Sequence, residues 1–220
     1  IIHVDGKISP LDDVDIINTE LLLADYQMAQ KCCETQSKKA KSNDKEQVKI
    51  YELLQQIESH LGENKPVRQL DFTSDEWDLL KGYHFITAKK VIYAANVSED
   101  DIATGNSYSK SLEEFAKSEG DEFTLISAQI EEELSKLDTE EKKEYLNELG
   151  VNQSGLERLA SACFTLLGLQ TYLTTGPKET HAWTIPIGAY APQAAGVIHT
   201  DFEAGFIRAN VISYDDFIEC

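Results

Sequence analysis

The stretch that decides the fold of this chain is Lys90-Val91-Ile92-Tyr93-Ala94-Ala95-Asn96-Val97-Ser98-Glu99. Its apolar part is short, contains residues that favour strands, and is enclosed by lysines before it and by aspartates after it. These features predict a buried parallel strand whose carboxyl end carries polar side chains. Because open α/β sheets bind ligands at the carboxyl ends of their strands, we expect a binding loop to follow.

A second strand of the same kind follows one helix later. A helix is predicted from Ser107 to Lys117, and the next apolar run, at 123–126, leads into Ser127 and Ala128. Strand, loop, helix and strand in this order form a βαβ unit, whose right-handed crossover places the two strands side by side or one strand apart. The sequence therefore predicts that the loop at 96–99 and the pair Ser127 and Ala128 face one crevice.

Two long helices are predicted before this unit. In both, apolar residues recur at alternating spacings of three and four, which is typical of a heptad seam. The first seam consists of Val14, Ile17, Leu21, Ala24 and Met28, and the second of Ile50, Leu54, Ile57 and Leu61. The polar segment 37–45 between them is rich in turn-forming residues. We therefore predict an antiparallel helical hairpin over residues 12–63.

The tip of this hairpin is basic, because it carries Lys38, Lys39, Lys41 and Lys45. The whole chain has 20 Lys and Arg against 39 Asp and Glu, a formal net charge of -19, which disfavours general coating of nucleic acid. A phosphate backbone would therefore be attracted locally, at the tip. Exposed charged turns are also common without any ligand, so a solvated tip is at least as well supported by the sequence.

From Leu169 onward the pattern of residues changes. Glycines, turn pairs and short strand patterns replace the acidic helices, and the predicted order is strand, turn, strand, helix and strand, the last at 205–213. This order indicates a second, small and β-rich domain. Such a sheet needs a further strand to cover it, so we expect the domain to be incomplete within residues 169–220.

Composition limits the remaining classes of site. No apolar run among the 220 residues approaches the roughly 20 residues of a membrane span. The cysteines have neither zinc-ligand spacing nor the density of a secreted disulfide scaffold, and His181 and His199 lack partners that the sequence would place beside them. We therefore predict a cytoplasmic protein with no metal site and no membrane contact. The cysteines are Cys32, Cys33, Cys163 and Cys220.

Six stretches of the chain match a known family. They are Asp12–Leu21, Ala94–Asp100, Gly176–Glu179, Ala191–Glu203, Gly205–Ala209 and Ser213–Phe217. In these stretches the chain resembles the YchF/Obg-like ATPase family, a branch of the translation-factor-related P-loop GTPases. The resemblance implies an α/β fold: part of a P-loop NTPase G domain at 1–11 and 64–168, a coiled-coil-like hairpin inserted at 12–63, and an incomplete β-grasp (ubiquitin-like) TGS domain at 169–220.

The resemblance assigns nucleotide base binding to the opening stretch. Guanine-binding relatives carry Asn-Lys-x-Asp where this chain carries Asn96, Val97, a serine and Glu99. Asn96 then braces the loop or contacts the base, and the backbone at Val97 faces the base. Ser127 and Ala128 match the Ser-Ala-Lys-like loop, whose backbone N–H groups meet the exocyclic position of the base. The longer carboxylate and the missing lysine weaken the fit to guanine, and the family is taken to prefer ATP, with GTP as the alternative.

The resemblance also implies that the phosphate-binding loop and the regions that bind Mg2+ lie upstream of Ile1. No Gly-x-x-x-x-Gly-Lys-[Ser/Thr] motif occurs in the 220 residues. Phosphoryl transfer depends on those parts. The intact family member is an ATPase, but we expect no catalytic residue in this chain, Mg2+ only together with the upstream region, and no ATPase activity of the chain alone.

Two function classes follow from the sequence. The first is a ribosome-associated, ATP-hydrolysing protein of the GTPase superfamily, of which this chain carries the base-recognition half. The second is a non-catalytic interaction module that binds the ribosome or RNA through the basic tip and the TGS-like sheet. A dimer held together by the hairpin is a third alternative, and the oligomeric state stays open at this stage.

Overall fold

A computed structural model describes residues 8–42 and 44–219 of the chain. These residues form ten α-helices and two small sheets of two strands each. They divide into two compact units, the first ending at Leu159 and the second beginning at Ala160. Within the described residues, no helix combines the length and the apolar character that crossing a membrane requires.

The first unit contains most of the helices. They are α1 (Pro10–Ala40), α2 (Lys45–Gly62), α3 (Ser74–Leu80), α4 (Ser107–Glu119), α5 (Ala128–Leu134) and α6 (Thr139–Glu148). Its strands are β1 (Ile92–Asn96) and β2 (Glu122–Ile126). Short 3-10 turns lie at Val67–Gln69, Lys81–Tyr83, Ile86–Ala88 and Glu99–Asp101. Helix α7 (Gly155–Leu167) begins in the first unit and ends in the second.

Helices α1 and α2 pack along each other in opposite directions. Near the turn, the side chain of Gln36 donates to the carbonyl and to the side-chain oxygen of Gln47, at 3.1 and 2.9 Å. At the other end, Gly62 lies against the ring of Tyr26. Helix α1 continues to Ala40, so the turn is shorter than the predicted polar segment 37–45, because the first residues of that segment contain no helix breaker.

The two predicted seams have different outcomes. The seam of α2 is confirmed, since Ile50, Leu54, Ile57 and Leu61 are all buried. The seam of α1 is wrong, because Ile17 is 59% exposed and Ala24 is also exposed. The prediction used apolar residues only, whereas the polar residues Asp25 and Gln36 occupy two of the buried positions of α1. The buried residues of α1 are Leu22, Asp25, Ala29, Cys33 and Gln36.

Asp25 ties α1 to the 3-10 turn at Ile86–Ala88. Its carboxylate, 1% exposed, accepts the N–H of Ile86 at 2.9 Å, the N–H of Thr87 at 2.7 Å and the hydroxyl of Thr87 at 2.6 Å. The hydroxyl oxygen of Thr87 accepts the N–H of Val67 at 3.2 Å. A buried carboxylate is tolerated where it is hydrogen-bonded in this way. The contact fixes the hairpin against the segment that enters β1.

Strands β1 and β2 are adjacent and parallel. Their register runs from Ile92 opposite Glu122 to Asn96 opposite Ile126. Helix α4 forms the crossover; Asn106 and Ser109 cap its start reciprocally, and it ends at Gly120, whose φ of +74° favours glycine. Of the two predicted arrangements of this βαβ unit, the structure therefore shows the side-by-side one.

The second unit contains an antiparallel pair of strands and three short helices. The strands are β3 (Leu169–Thr175) and β4 (Thr180–Pro186), and the helices are α8 (Ala191–Ile198), α9 (Thr200–Ala204) and α10 (Tyr214–Glu219). The hydroxyl of Tyr172 donates to the carbonyl of Ala194 at 2.8 Å and so attaches α8 to the sheet. The strand predicted at 205–213 is wrong: residues 206–213 have no regular structure, since no strand among the described residues pairs with them.

Candidate functional site

The carboxyl ends of β1 and β2 meet at one edge of the first sheet, where one side-chain hydrogen bond joins them. Asn96, the last residue of β1, accepts the backbone N–H of Ala128 through its Oδ1 atom at 3.0 Å. The N–H of Val97 donates to the carbonyl of Ile126 at 2.8 Å. The loop after β1 and the first turn of α5 therefore lie side by side, at the edge where α/β sheets bind ligands. We call the surface formed by residues 96–99 and 127–128 the crevice.

The predicted base-binding residues differ in exposure. Asn96, Glu99 and Ala128 are exposed, whereas Val97 is 8% exposed and Ser127 is 1% exposed. The side chain of Val97 packs into a cluster with Ile102, Ile130, Leu134 and Leu146. The side chain of Val97 is therefore buried in this cluster and cannot flank a base as the stem of a lysine would.

Asn96 makes the bracing contact, one of its two predicted roles. Because its oxygen holds the N–H of Ala128, the side-chain nitrogen of Asn96 keeps two N–H groups for another acceptor. A base atom that binds the N–H of Ala128 must compete with the Asn96 oxygen.

The loop after β1 is held by its own side chains. Ser98 Oγ and Asn106 Nδ2 both donate to Asp101 Oδ2, at 2.9 and 2.8 Å. These two hydrogen bonds, the one from Asn106 first, lower the pKa of Asp101. The N–H of Gly105 donates to the carbonyl of Asp101 at 2.7 Å. Glu99 is therefore presented from an ordered loop.

The α5 side of the crevice is acidic. Glu133 accepts the hydroxyl of Tyr145, and it accepts Nε2 of Gln129 at 3.2 Å; these two bonds lower the pKa of Glu133. The same contact with Glu133 raises the pKa of Tyr145 to about 12, with a smaller contribution from the charge of Glu99. The side chain of Gln129 runs along α5 to Glu133.

Three residues behind the crevice were missed by sequence reasoning: Glu131, Gly155 and Arg158. Glu131 Oε1 accepts the N–H of Gly155 at 2.6 Å, and Arg158 Nη2 donates to the carbonyl of Leu125 at 3.2 Å. These contacts join α5 and β2 to the start of α7. The sequence marks the start of α7, because Ser154 and Glu157 have the spacing of a capping box, but no local pattern shows what that start touches.

Comparison with known proteins relates the chain to one family. Residues 169–220 match the family model YchF-GTPase_C, described as a protein of unknown function (DUF933). The ribosome-binding ATPase YchF of Bacillus subtilis is 43% identical in an alignment of 220 positions, which covers 99% of this chain and 60% of that protein. The protein of the same name from Pasteurella multocida is 46% identical over 219 residues, 100% of this chain and 60% of that protein. The structure of the Schizosaccharomyces pombe YchF GTPase superposes with a TM-score of 0.78 at 34% identity and covers 94% of this chain and 57% of that one.

Over its whole length the chain resembles the YchF family. It spans 60% of the length of the curated YchF relatives named above. The mixed α/β, helix-rich architecture with small sheets is similar to that of the YchF GTPase structure. The resemblance inferred from the sequence is therefore confirmed at the level of the family.

The histidines and the thiols of Cys32 and Cys33 have the following surroundings in the described part of the chain. Within residues 8–42 and 44–219, no group of three or more His, Cys, Asp and Glu side chains could hold a metal ion. Burial raises the pKa of Cys32, and burial together with Glu58 raises that of Cys33 to about 12, so neither thiol is activated. The rings of His181 and Trp183 are tilted by 44° to each other, with centroids 4.2 Å apart. His199 accepts the N–H of Asp201 at the start of α9.

The basic tip of the hairpin is fully accessible. Lys38 and Lys39 lie in the last turn of α1, Lys41 follows it, and Lys45 begins α2. All four are exposed, and none forms an ion pair with a residue in 8–42 or 44–219. Other lysines of the chain are paired, for example Lys136 with Glu132 at 2.8 Å. The tip therefore offers four ammonium groups to an external anion.

Proposed function

We propose that this chain supplies the base-recognition half of an ATP-binding and ATP-hydrolysing protein of the GTPase superfamily that associates with the ribosome. The observation that carries the proposal is the hydrogen bond between Asn96 and Ala128, which joins two predicted base-binding loops in one crevice. Curated relatives over the whole chain are named ribosome-binding ATPase YchF. They support the proposal for this chain, although it covers 60% of their length.

The donors and acceptors of the crevice favour adenine over guanine. In many GTPases a free backbone N–H meets O6 of guanine, but here the oxygen of Asn96 occupies the N–H of Ala128. The carbonyl of Val97 is an acceptor, which suits the 6-amino group of adenine and repels O6 of guanine. The free N–H groups of Asn96 suit N7, an acceptor that both purines share. We therefore propose ATP as the nucleotide, with GTP as the weaker ligand.

The phosphates and Mg2+ need residues of another kind. The 220 residues contain no Gly-x-x-x-x-Gly-Lys-[Ser/Thr] motif to cradle phosphates. Bound Mg2+ would neutralise charge on the phosphates during their transfer. Residues 1–220 by themselves should therefore bind the base weakly and hydrolyse no ATP, and Mg2+-dependent turnover by them would contradict this part of the proposal.

The base crevice is tested with nucleosides, which lack phosphates. We expect adenosine at millimolar concentration to shift the backbone NMR signals of Val97, Glu99 and Ala128 in residues 1–220, and guanosine to shift them less. Asn96→Ala should remove these shifts, whereas Asn152→Ala, at an exposed bend, should leave them unchanged. Equal responses to the two nucleosides would contradict the preference for adenine, and the absence of any response would contradict the base site.

The basic tip favours the second candidate, a non-catalytic module that binds the ribosome or RNA. Replacing Lys38, Lys39, Lys41 and Lys45 with glutamine should weaken sedimentation with ribosomes. The logarithm of the ribosome-binding constant decreases linearly with the logarithm of the salt concentration. This slope should become less steep by about 0.7–0.9 for each phosphate that the tip no longer neutralises. The matched control replaces four other lysines with glutamine, namely Lys110, Lys117, Lys136 and Lys143. Binding that is unaffected by the tip replacements would place the ribosome-binding surface elsewhere on the chain.

A further inference from the structure

The first turn of α7 is tied to α5 directly behind the crevice. Ser154 and Glu157 cap α7 reciprocally: Glu157 accepts the N–H of Ser154 at 2.9 Å, and Ser154 Oγ accepts the N–H of Glu157 at 3.1 Å. The N–H of Gly155 is not part of this cap, and it donates to Glu131 Oε1 at 2.6 Å. Glu131 lies in α5, and its own N–H donates to the carbonyl of Ser127 at 3.0 Å. Glu131 therefore links the start of α7 to the residue before Ala128.

The backbone of α7 also touches the end of β2. Gly155 is buried, and a Cβ atom at this position would lie 2.8 Å from Cγ1 of Ile126 and 3.1 Å from its Cα. Such distances exclude a side chain unless the backbone moves. The carbonyl of Ile126 is the one that accepts the N–H of Val97. The start of α7 therefore packs against the residue that holds the loop after β1.

Arg158 adds a third contact to the same strand end. Its Nη2 atom donates to the carbonyl of Leu125 at 3.2 Å, and Leu125 pairs with Ala95 in the sheet. The Nε atom of Arg158 is buried and has no hydrogen-bond partner among the described residues. A buried donor without a partner costs free energy. The hydrogen bond from Nη2 is therefore the contact by which Arg158 fixes the position of Leu125.

We propose that Glu131 and Arg158 are positioning residues for base recognition. They touch no base. The side chain of Arg158 holds the carbonyl of Leu125, and that of Glu131 holds the first turn of α7, where Gly155 packs against Ile126. Together these contacts keep the N–H of Ala128 directed at the oxygen of Asn96. The proposal rests on the proposed function of the crevice.

The choice between adenine and guanine depends on this support. When Glu131 no longer holds the start of α7, the first turn of α5 is free to shift and the bond between Asn96 and Ala128 weakens. The N–H of Ala128 then becomes available to O6 of guanine. Loss of the support therefore weakens adenosine binding and also reduces the discrimination against guanosine, which a general loss of stability does not do.

The experiment compares nucleoside dissociation constants by NMR titration of residues 1–220. Glu131→Ala should weaken adenosine binding by about 2- to 30-fold, the range found for residues that act through a packed network, and should lower the ratio of the guanosine to the adenosine dissociation constant. Glu131→Gln keeps an acceptor for the N–H of Gly155 and should restore the ratio. Glu132→Ala is the matched control, because Glu132 is exposed on the same helix and pairs with Lys136.

The outcomes separate this proposal from the one on which it rests. Absence of nucleoside-dependent shifts in the unaltered chain would overturn the base site and with it the positioning role. An unaltered chain that prefers adenosine, together with an unchanged ratio in Glu131→Ala, would overturn the positioning role alone. If Glu131→Ala loses its dispersed NMR spectrum, Arg158→Ala decides: a lowered ratio supports the role, and an unchanged ratio overturns it.

Discussion

The two units bury their apolar side chains to very different extents. In the hairpin, Leu53, Leu54 and Ile57 are completely buried, whereas Ile185 is the one buried apolar side chain among residues 160–219. In the same unit Val211 is 87% exposed. The apolar face of α2 is covered by its neighbours, but a two-stranded sheet leaves much of its surface uncovered. The packing of apolar side chains within this chain therefore stabilises mainly the first unit.

The largest effect is expected in the core of the hairpin. Leu54→Ala should lower the free energy of unfolding of the first unit by about 2–5 kcal/mol, because it leaves a cavity between helices. Urea unfolding followed by far-UV circular dichroism measures the change. The chain has two tryptophans, and Trp183 lies in the second unit, so its fluorescence in a Trp77→Phe background reports that unit separately. A small loss, similar to that in the half-exposed control Leu23→Ala, would contradict the comparison.

The next effect concerns the buried carboxylate of the first unit. Asp25→Ala removes the acceptor for Ile86 and Thr87 and should cost about 2–3 kcal/mol, since their buried donors are left without a partner. Asp25→Asn keeps one acceptor oxygen and should cost less. Asp15→Ala is the matched control on an exposed turn of the same helix. Urea unfolding that gives Asp25→Ala and Asp15→Ala the same stability would show that the contact does not stabilise the unit.

Local patterns in the sequence predicted only part of this arrangement. The seam of α2 followed from the spacing of its apolar residues. The proximity of the segments 96–99 and 127–128 followed from the βαβ rule. The buried face of α1 did not, because Asp25 is bonded to Thr87, 62 residues away. The contact of Glu131 with Gly155 spans 24 residues and depends on a close backbone approach. The predicted strand at 205–213 had a suitable pattern, but a strand also needs a neighbour.

A smaller effect should appear in acid. Glu76 accepts a hydrogen bond from Lys49 and one from the N–H of Thr73, which lower its pKa from 4.5 to about 2. Its ionised form stabilises the fold, so this contribution is complete above the ordinary pKa and is lost as the pH falls towards about 2. The midpoint of thermal unfolding of the first unit should fall less over this range in Glu76→Gln than in the exposed control Glu52→Gln. Equal slopes in the two variants would contradict the assignment.

The smallest effect is expected in the second unit. Val211→Ser should change its free energy of unfolding by no more than about 0.5 kcal/mol, because the side chain is already in solvent. Ile185→Ala, at the buried position of the same unit, is the positive control. Unfolding followed by the fluorescence of Trp183 compares the two. A clear destabilisation by Val211→Ser would show that the side chain of Val211 is packed within the second unit. The two units would then not differ as described in the burial of apolar side chains.

The contact between Asp25 and Thr87 also bears on the order in which parts of the first unit fold. The hairpin closes over a turn of a few residues, whereas the contact with Thr87 closes a loop of 62 residues and meets a larger entropic barrier. We therefore expect the hairpin to form first and the turn at 86–88 to dock afterwards, so that Asp25→Asn accelerates unfolding and leaves the folding rate nearly unchanged. During synthesis residues 10–62 also leave the ribosome before residue 87. The strand that leads to Asn96 is thus added to a hairpin that is already folded.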